Sequence, residues 1–202
     1  MSFAGAYFKE LGRVSARINL DNCRLAVDSL LQTWQGEGTV FAAGNGGSAS
    51  TSSHFICDLQ KLTIAPNLPR LRALSLSDNI PVMTAWSNDS SYADLFLEQA
   101  RNLLRVGDLV ICISASGDST NVLRLATYAR ASGVPSIGLI GYDGGELKTL
   151  VDVPLIVPSR NMQIIEDVHL AICHMLASHM RSALHNLAAS GALVADSKDF
   201  TP

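Results

Sequence analysis

Val40-Phe41-Ala42-Ala43-Gly44-Asn45-Gly46-Gly47-Ser48 is an apolar run that ends in a loop of small residues. With the polar, helix-like segment Ala49 to Leu62 behind it, the stretch reads as a buried strand, a tight loop and a helix. Glycines at 44, 46 and 47 let the backbone turn sharply and come close to a ligand. The helix N-terminus beyond them offers unpaired N–H groups and the positive end of a dipole, which favour an anion such as phosphate. The loop is not a Walker loop, because Gly-Lys-Ser/Thr is missing. Nor is it a dinucleotide fingerprint, because no glycine follows Gly44-Asn45-Gly46 at the right offset.

A second loop of the same kind follows a second apolar run. Leu109-Val110-Ile111-Cys112-Ile113 leads into Ser114-Ala115-Ser116-Gly117-Asp118-Ser119-Thr120, where the next helix should start. Hydroxyls and backbone N–H groups together cradle phosphate oxygens without a cation. Either loop alone also fits a turn whose Ser or Thr merely caps a helix. Two such loops at the C-terminal ends of parallel strands point instead to a binding edge, since open α/β sheets bind ligands there.

Strands are expected at about Thr39–Ala43, Leu71–Leu76, Asp108–Ile113, Ser136–Ile140 and Val153–Ile156. Helices are expected at about Ser48–Leu62, Asn79–Ala85, Ala93–Leu104, Thr120–Ser132, Gly145–Thr149 and Gln163–Leu187. This alternation predicts an α/β domain with a five-stranded parallel sheet covered on both faces. Ahead of it, residues 2–36 read as helix with a break near Asn19–Asp21, and part of their apolar face would need a partner subunit. The 202 residues read as one domain, with an αβα core at about 37–187 and a tail after about Ala188 that is expected to be partly disordered.

Composition narrows the function. Net charge is −3, with no basic run, which argues against a nucleic-acid partner. No apolar run reaches membrane-spanning length and the N-terminus has no signal-peptide pattern, so a cytoplasmic protein is expected. Cys23, Cys57, Cys112 and Cys173 show no paired spacing and are expected to be reduced thiols, Cys112 and Cys173 packing as small hydrophobes.

Two polar groups could do chemistry. His54 and Asp58 are four apart on the helix after the glycine loop, so they share a face. Glu166-Asp167-Val168-His169 and His174, with His179 beyond, interrupt an otherwise apolar helix. Buried ionisable groups are costly unless paired, so packing alone would not select them. His169 and His179 could instead lie on a polar or subunit-facing side.

These motifs in this order resemble the sugar isomerase (SIS) fold family, specifically its phosphoheptose isomerase branch. The resemblance runs from the N-terminal helices to about Leu184 and implies a flavodoxin-like three-layer sandwich. It implies aldose–ketose isomerisation of sedoheptulose 7-phosphate, a homotetramer with sites at subunit interfaces, and no nucleotide cofactor. It assigns phosphate binding to Ser48, Ser114, Ser116 and Ser119, with Asn45, Gly46, Gly47 and Ala115 in the same loops, and sugar contacts to Asn88, Asp89 and Glu166. The family's catalytic base, a glutamate, falls on Asp58, and its second proton-transfer residue on His174. Some members bind zinc with residues that correspond to His54, Asp58, Glu166 and His174, so one Zn²⁺ per subunit is expected.

Two departures matter. Asp58 is one methylene shorter than glutamate, and a base misplaced by about 1 Å can cost on the order of a hundredfold in rate. Glu166 stands where the family has glutamine, which adds a negative charge to the ligand set. Two histidines and two carboxylates suit a first-row divalent cation. Glu166 and His174 are eight apart, about 80° off one helical face, so they serve one site only if the long glutamate reaches or subunits share it. The replication factor that binds DnaA is a non-catalytic relative that shares the Gly141–Leu147 stretch. In that branch the base and last histidine are unfit for proton transfer, whereas Asp58 and His174 are competent. A sugar-phosphate-sensing regulator usually carries a DNA-binding domain for which this chain has no room; a pentose-phosphate isomerase is a rival within the same class.

Overall fold

The computed structural model describes residues 2–190. Two helical segments come first, α1 (Phe3–Ser15) and α2 (Leu20–Gln35). The expected break falls between them, where the Asn19 side chain accepts from the N–H groups of Asp21 and Asn22 and caps α2. Five strands follow: β1 (Thr39–Gly44), β2 (Arg72–Ser75), β3 (Leu109–Ser114), β4 (Ser136–Ile140) and β5 (Val153–Ile156). The intervening helices are α3 (Gly47–Leu62), α4 (Ile80–Asp89), α5 (Leu95–Leu103), α6 (Thr120–Ala131) and α7 (Leu147–Leu150), and α8 (Met162–Ser190) closes the chain.

All pairings are parallel and the order is β2-β1-β3-β4-β5. The direction of winding therefore reverses between β1 and β3, the switch point at which such sheets open a crevice. Both small-residue loops leave the sheet there.

Every residue of β3 and β4 is buried, and β1 is buried from Val40 onward. These are the runs that read as continuously apolar. The edge strands differ. In β2, Arg72 and Leu74 are exposed while Ala73 and Ser75 are buried, so this strand is covered on one face only. β5 carries Pro154, which an edge strand tolerates because it need not donate on that side. One apolar layer joins α1, α2, α3 and α8 to one face of the sheet; the other joins α5, α6 and α7 to the opposite face.

α4 runs four residues beyond its expected end, and α8 continues through Ala188 to Ser190. The rest of the expected disordered tail lies outside the described residues. Asn88 and Asp89 thus end a helix instead of lying in a loop.

A hydroxyl-lined crevice and a His–Asp–His cluster

The glycine loop is shaped by close approach. A β-carbon on Gly44 would stand 2.7 Å from the Ser48 backbone and Cβ, so only glycine lets α3 start this near the strand. Gly46 has φ +54°, which glycine adopts without strain. Ser77 clips the turn from the side, donating to the Gly44 carbonyl at 3.0 Å and accepting from the Gly44 N–H at 3.2 Å. Ser48 is buried beneath the loop.

The second loop is held from inside by Ser114. Its buried hydroxyl donates to Ser119 Oγ at 3.2 Å and accepts from the Gly117 N–H at 3.2 Å. Ser116 Oγ accepts from the Asp118 N–H at 3.2 Å and remains exposed. The neighbouring Gly141–Glu146 turn is stitched on: the Gly141 N–H donates to the Ala115 carbonyl, and Asp118 accepts from the Glu146 N–H at 2.8 Å. Neither α3 nor α6 has a side-chain cap from its N-cap residue. The simple capping explanation of these loops, a cap from the N-cap side chain, therefore fails at both helices.

α3 and α8 lie against each other. Phe55 and Leu59 face inward and are fully buried, which turns His54 and Asp58 toward α8. There, Nε2 of His54 and Nε2 of His174 each lie 3.7 Å from the same oxygen of Asp58, Oδ2. The two imidazole centroids are 5.0 Å apart, nearly edge to face. One ligand atom from each of the three residues falls within 4.8 Å of the others. Three protein ligands with an open position are what a catalytic divalent ion uses, so the donor set fits one. Beneath it, burial pushes the Cys173 thiol up, and the Asp58 carboxylate adds to the shift.

Glu166 does not join this cluster within the protomer. Its carboxylate lies over Gly47, where an added β-carbon would stand 2.5 Å from Oε1. The reason is geometric: eight residues of helix separate Glu166 from His174 by about 12 Å along the axis. The expected four-residue convergence is thus three residues plus one. Asn88 Nδ2 donates to Asp89 Oδ1 at 2.8 Å, and both residues are exposed.

His169 corrects another expectation. It is 1% exposed, so it faces the core and not a polar or subunit surface. Neither ring nitrogen has a hydrogen-bond partner of normal geometry. Burial lowers its pKa to about 4, against a weaker opposing pull from the Ile140 backbone. His179 is exposed, as one of the two readings expected. Cys112 is buried in β3 with its thiol pushed up to about 12, and Cys173 is buried in α8, so both pack as hydrophobes.

Two residues of the crevice escaped the sequence reading. Asn121 is 2% exposed and pairs head to tail with Asn45, each amide donating to the other at 2.8 Å. Tyr92 donates its hydroxyl to Asn45 Oδ1, also at 2.8 Å. Asn121 follows the second loop directly, which was a usable signal; Tyr92 carried none.

Residues 6–141 match the SIS domain model. The chain belongs to the SIS domain family. It is 40% identical over 153 residues to the phosphoheptose isomerase of Helicobacter pylori (strain Shi470), covering 75% of this chain and 78% of that one. It is 35% identical over 175 residues to the lincomycin biosynthesis protein LmbN of Streptomyces lincolnensis, covering 82% of this chain. The match spans 64% of LmbN, so that relative is the longer protein. The structure of the phosphoheptose isomerase GmhA from Neisseria gonorrhoeae superposes with a TM-score of 0.82 at 30% identity, over 89% of this chain and 97% of that one. The SIS fold expected from the motifs is therefore the fold observed. No helix among the described residues is long and apolar enough to cross a membrane.

Proposed function

We propose that this SIS-family chain is a phosphosugar isomerase that interconverts sedoheptulose 7-phosphate and D-glycero-D-manno-heptose 7-phosphate. The observation that carries the reading is Asp58 Oδ2 held between two imidazoles on the α3–α8 pair that begins at the phosphate crevice. Relatives named phosphoheptose isomerase support the substrate. Aldose–ketose exchange moves a proton between C1 and C2 through an enediol. Asp58 takes the carbon-bound proton, and His174 moves the proton on the neighbouring oxygen. Ser48, Ser114, Ser116 and Ser119 anchor the phosphate with the two helix N-termini, and Asn45, Asn88, Asp89 and Glu166 contact the sugar. This binding, remote from the reacting carbons, can be used to orient them.

His54, Asp58 and His174 would hold one divalent ion, Zn²⁺ being the reading favoured by two imidazoles and a carboxylate. When bound it would polarise the substrate carbonyl as a Lewis acid. No nucleotide cofactor is needed for an internal proton transfer.

Ser48 and Asp58 are ten residues apart on one helix, an axial rise of about 15 Å. That separation, and Glu166 lying over Gly47 apart from His174, support a shared site in which one protomer's cluster meets a neighbour's crevice; a homotetramer is what the family resemblance implies for the assembly. The exposed Phe3 and Phe8 of α1 offer apolar surface for such packing. We place the protein in the cytoplasm, where sugar phosphates are made.

The deciding experiment mixes purified protein with sedoheptulose 7-phosphate, with and without zinc, and follows the aldose product. Turnover is expected. If no sugar phosphate turns over under either condition, the reading gives way to a non-catalytic binding protein.

A further inference from the structure

Three segments that are far apart in sequence meet at one side chain. Asn45 lies in the β1–α3 loop, Asn121 in the first turn of α6, and Tyr92 in the segment after Asn88 and Asp89. Asn45 Oδ1 accepts from both Asn121 Nδ2 and Tyr92 Oη at 2.8 Å, and Asn45 Nδ2 donates to Asn121 Oδ1 at 2.8 Å. An amide carries two N–H donors and an oxygen with two lone pairs. The oxygen of Asn45 is therefore fully used and one N–H is left over. Asn121 is in turn fixed by burial, and its Oδ1 also accepts from the Val122 N–H at 3.0 Å. With its oxygen held by two donors, the Asn45 amide has one preferred orientation. A flip would bring its NH₂ against the Asn121 NH₂ and take away the acceptor that the Tyr92 hydroxyl now uses.

We propose that Tyr92 and Asn121 are positioning residues that lock the Asn45 amide so that its remaining N–H serves as a donor to an oxygen of the bound sugar phosphate. This rests on the phosphosugar reading above. The Tyr92 hydroxyl ties the Asn88–Asp89 side of the crevice to the two phosphate loops, so the three binding elements are held in one arrangement before the ligand arrives. Preorganisation of this kind lowers the ordering cost of binding. Tyr92 acts on the ligand through Asn45, not by touching it.

Tyr92→Phe is the suitable probe, because it removes one hydroxyl from a ring that is 55% exposed and leaves the core untouched. Dissociation constants for sedoheptulose 7-phosphate, by calorimetry, and KM and kcat are measured for wild type, Tyr92→Phe, Asn45→Ala and the double variant, with thermal unfolding alongside. In Tyr92→Phe the dissociation constant and KM should rise roughly three- to tenfold, the scale of one hydrogen bond, with kcat and the unfolding midpoint nearly unchanged. On the Asn45→Ala background the same change should have no further effect, since the two residues act as a unit. The proposal is overturned if Tyr92→Phe binds like wild type, if its effect is undiminished without Asn45, or if wild type binds no sugar phosphate. A wild type that binds with this coupling but does not turn over sinks the isomerase reading alone.

Discussion

The carboxylate of Glu166 lies over Gly47 at the first turn of α3, close enough that a β-carbon there would stand 2.5 Å from Oε1. A negative charge thus sits at the end of the helix dipole that an incoming phosphate would use. Glu166→Gln should tighten sugar-phosphate binding about two- to tenfold by removing a like charge at little steric cost. Calorimetric titration with inorganic phosphate and sedoheptulose 7-phosphate measures it. Unchanged binding of the inorganic anion would mean that the carboxylate is not near the phosphate.

The Asp58–His174 pair makes a second prediction. Asp58→Asn and His174→Ala should each abolish isomerisation, because each removes a proposed proton-transfer group, while the unfolding midpoint holds within a few degrees. Asp58→Glu is more informative. If aspartate merely sets the base back, glutamate should match or raise turnover of sedoheptulose 7-phosphate. A fall in turnover would show a site built around the shorter acid.

Metal content tests the cluster directly. Protein purified without chelator should carry about one divalent ion per protomer, and His54→Ala should lose it, because a set of three ligands cannot spare one. Elemental analysis of both settles the matter. No metal in either, with activity intact, removes the ion from the mechanism.

The proposed sharing of a site between protomers predicts complementation. The Ser116→Ala/Ser119→Ala double variant and Asp58→Asn should each be inactive alone. Unfolded together and refolded, they should regain a fraction of wild-type turnover, since hybrid interfaces combine an intact crevice with an intact cluster. No recovery from the refolded mixture would confine the site to one chain.

His169 should govern acid stability. Its folded pKa of about 4 lies below the ordinary 6.5, so the unfolded chain binds the proton more tightly. Stability is unaffected by this residue above about pH 6.5, falls as pH drops from there, and levels off below about pH 4. The loss is on the order of 3 kcal/mol at most. Chemical denaturation of wild type and His169→Leu across that range should show a shallower slope in the variant. Equal slopes would assign the acid sensitivity elsewhere.

The strands followed from apolar runs and their parallel pairing from strand–helix alternation, because buried central strands must be apolar on both faces. The edges were less legible: Arg72 and Leu74 share a strand with buried Ala73 and Ser75, a pattern that only its place at the sheet's margin explains. Within the site, His54 and Asp58 could be paired from their spacing alone, since a helix turn sets that distance. Their meeting with His174 depends on how two helices cross, which no local pattern encodes. His169 misled for the opposite reason: an ionisable residue without partners was expected to avoid the core, yet it lies inside it. Tyr92 was silent because its role depends on one hydroxyl reaching across the fold.

The pairing of α3 with α8 makes the interval between Ser48 and Asp58 resistant to indels. Adding or deleting one residue would rotate everything beyond it by about 100° and swing His54, Asp58, or both away from His174. The loops can change length as new ligands are recruited; this stretch of helix cannot. Within a protomer it works as a ruler, fixing how far the His–Asp–His cluster lies from the glycine loop.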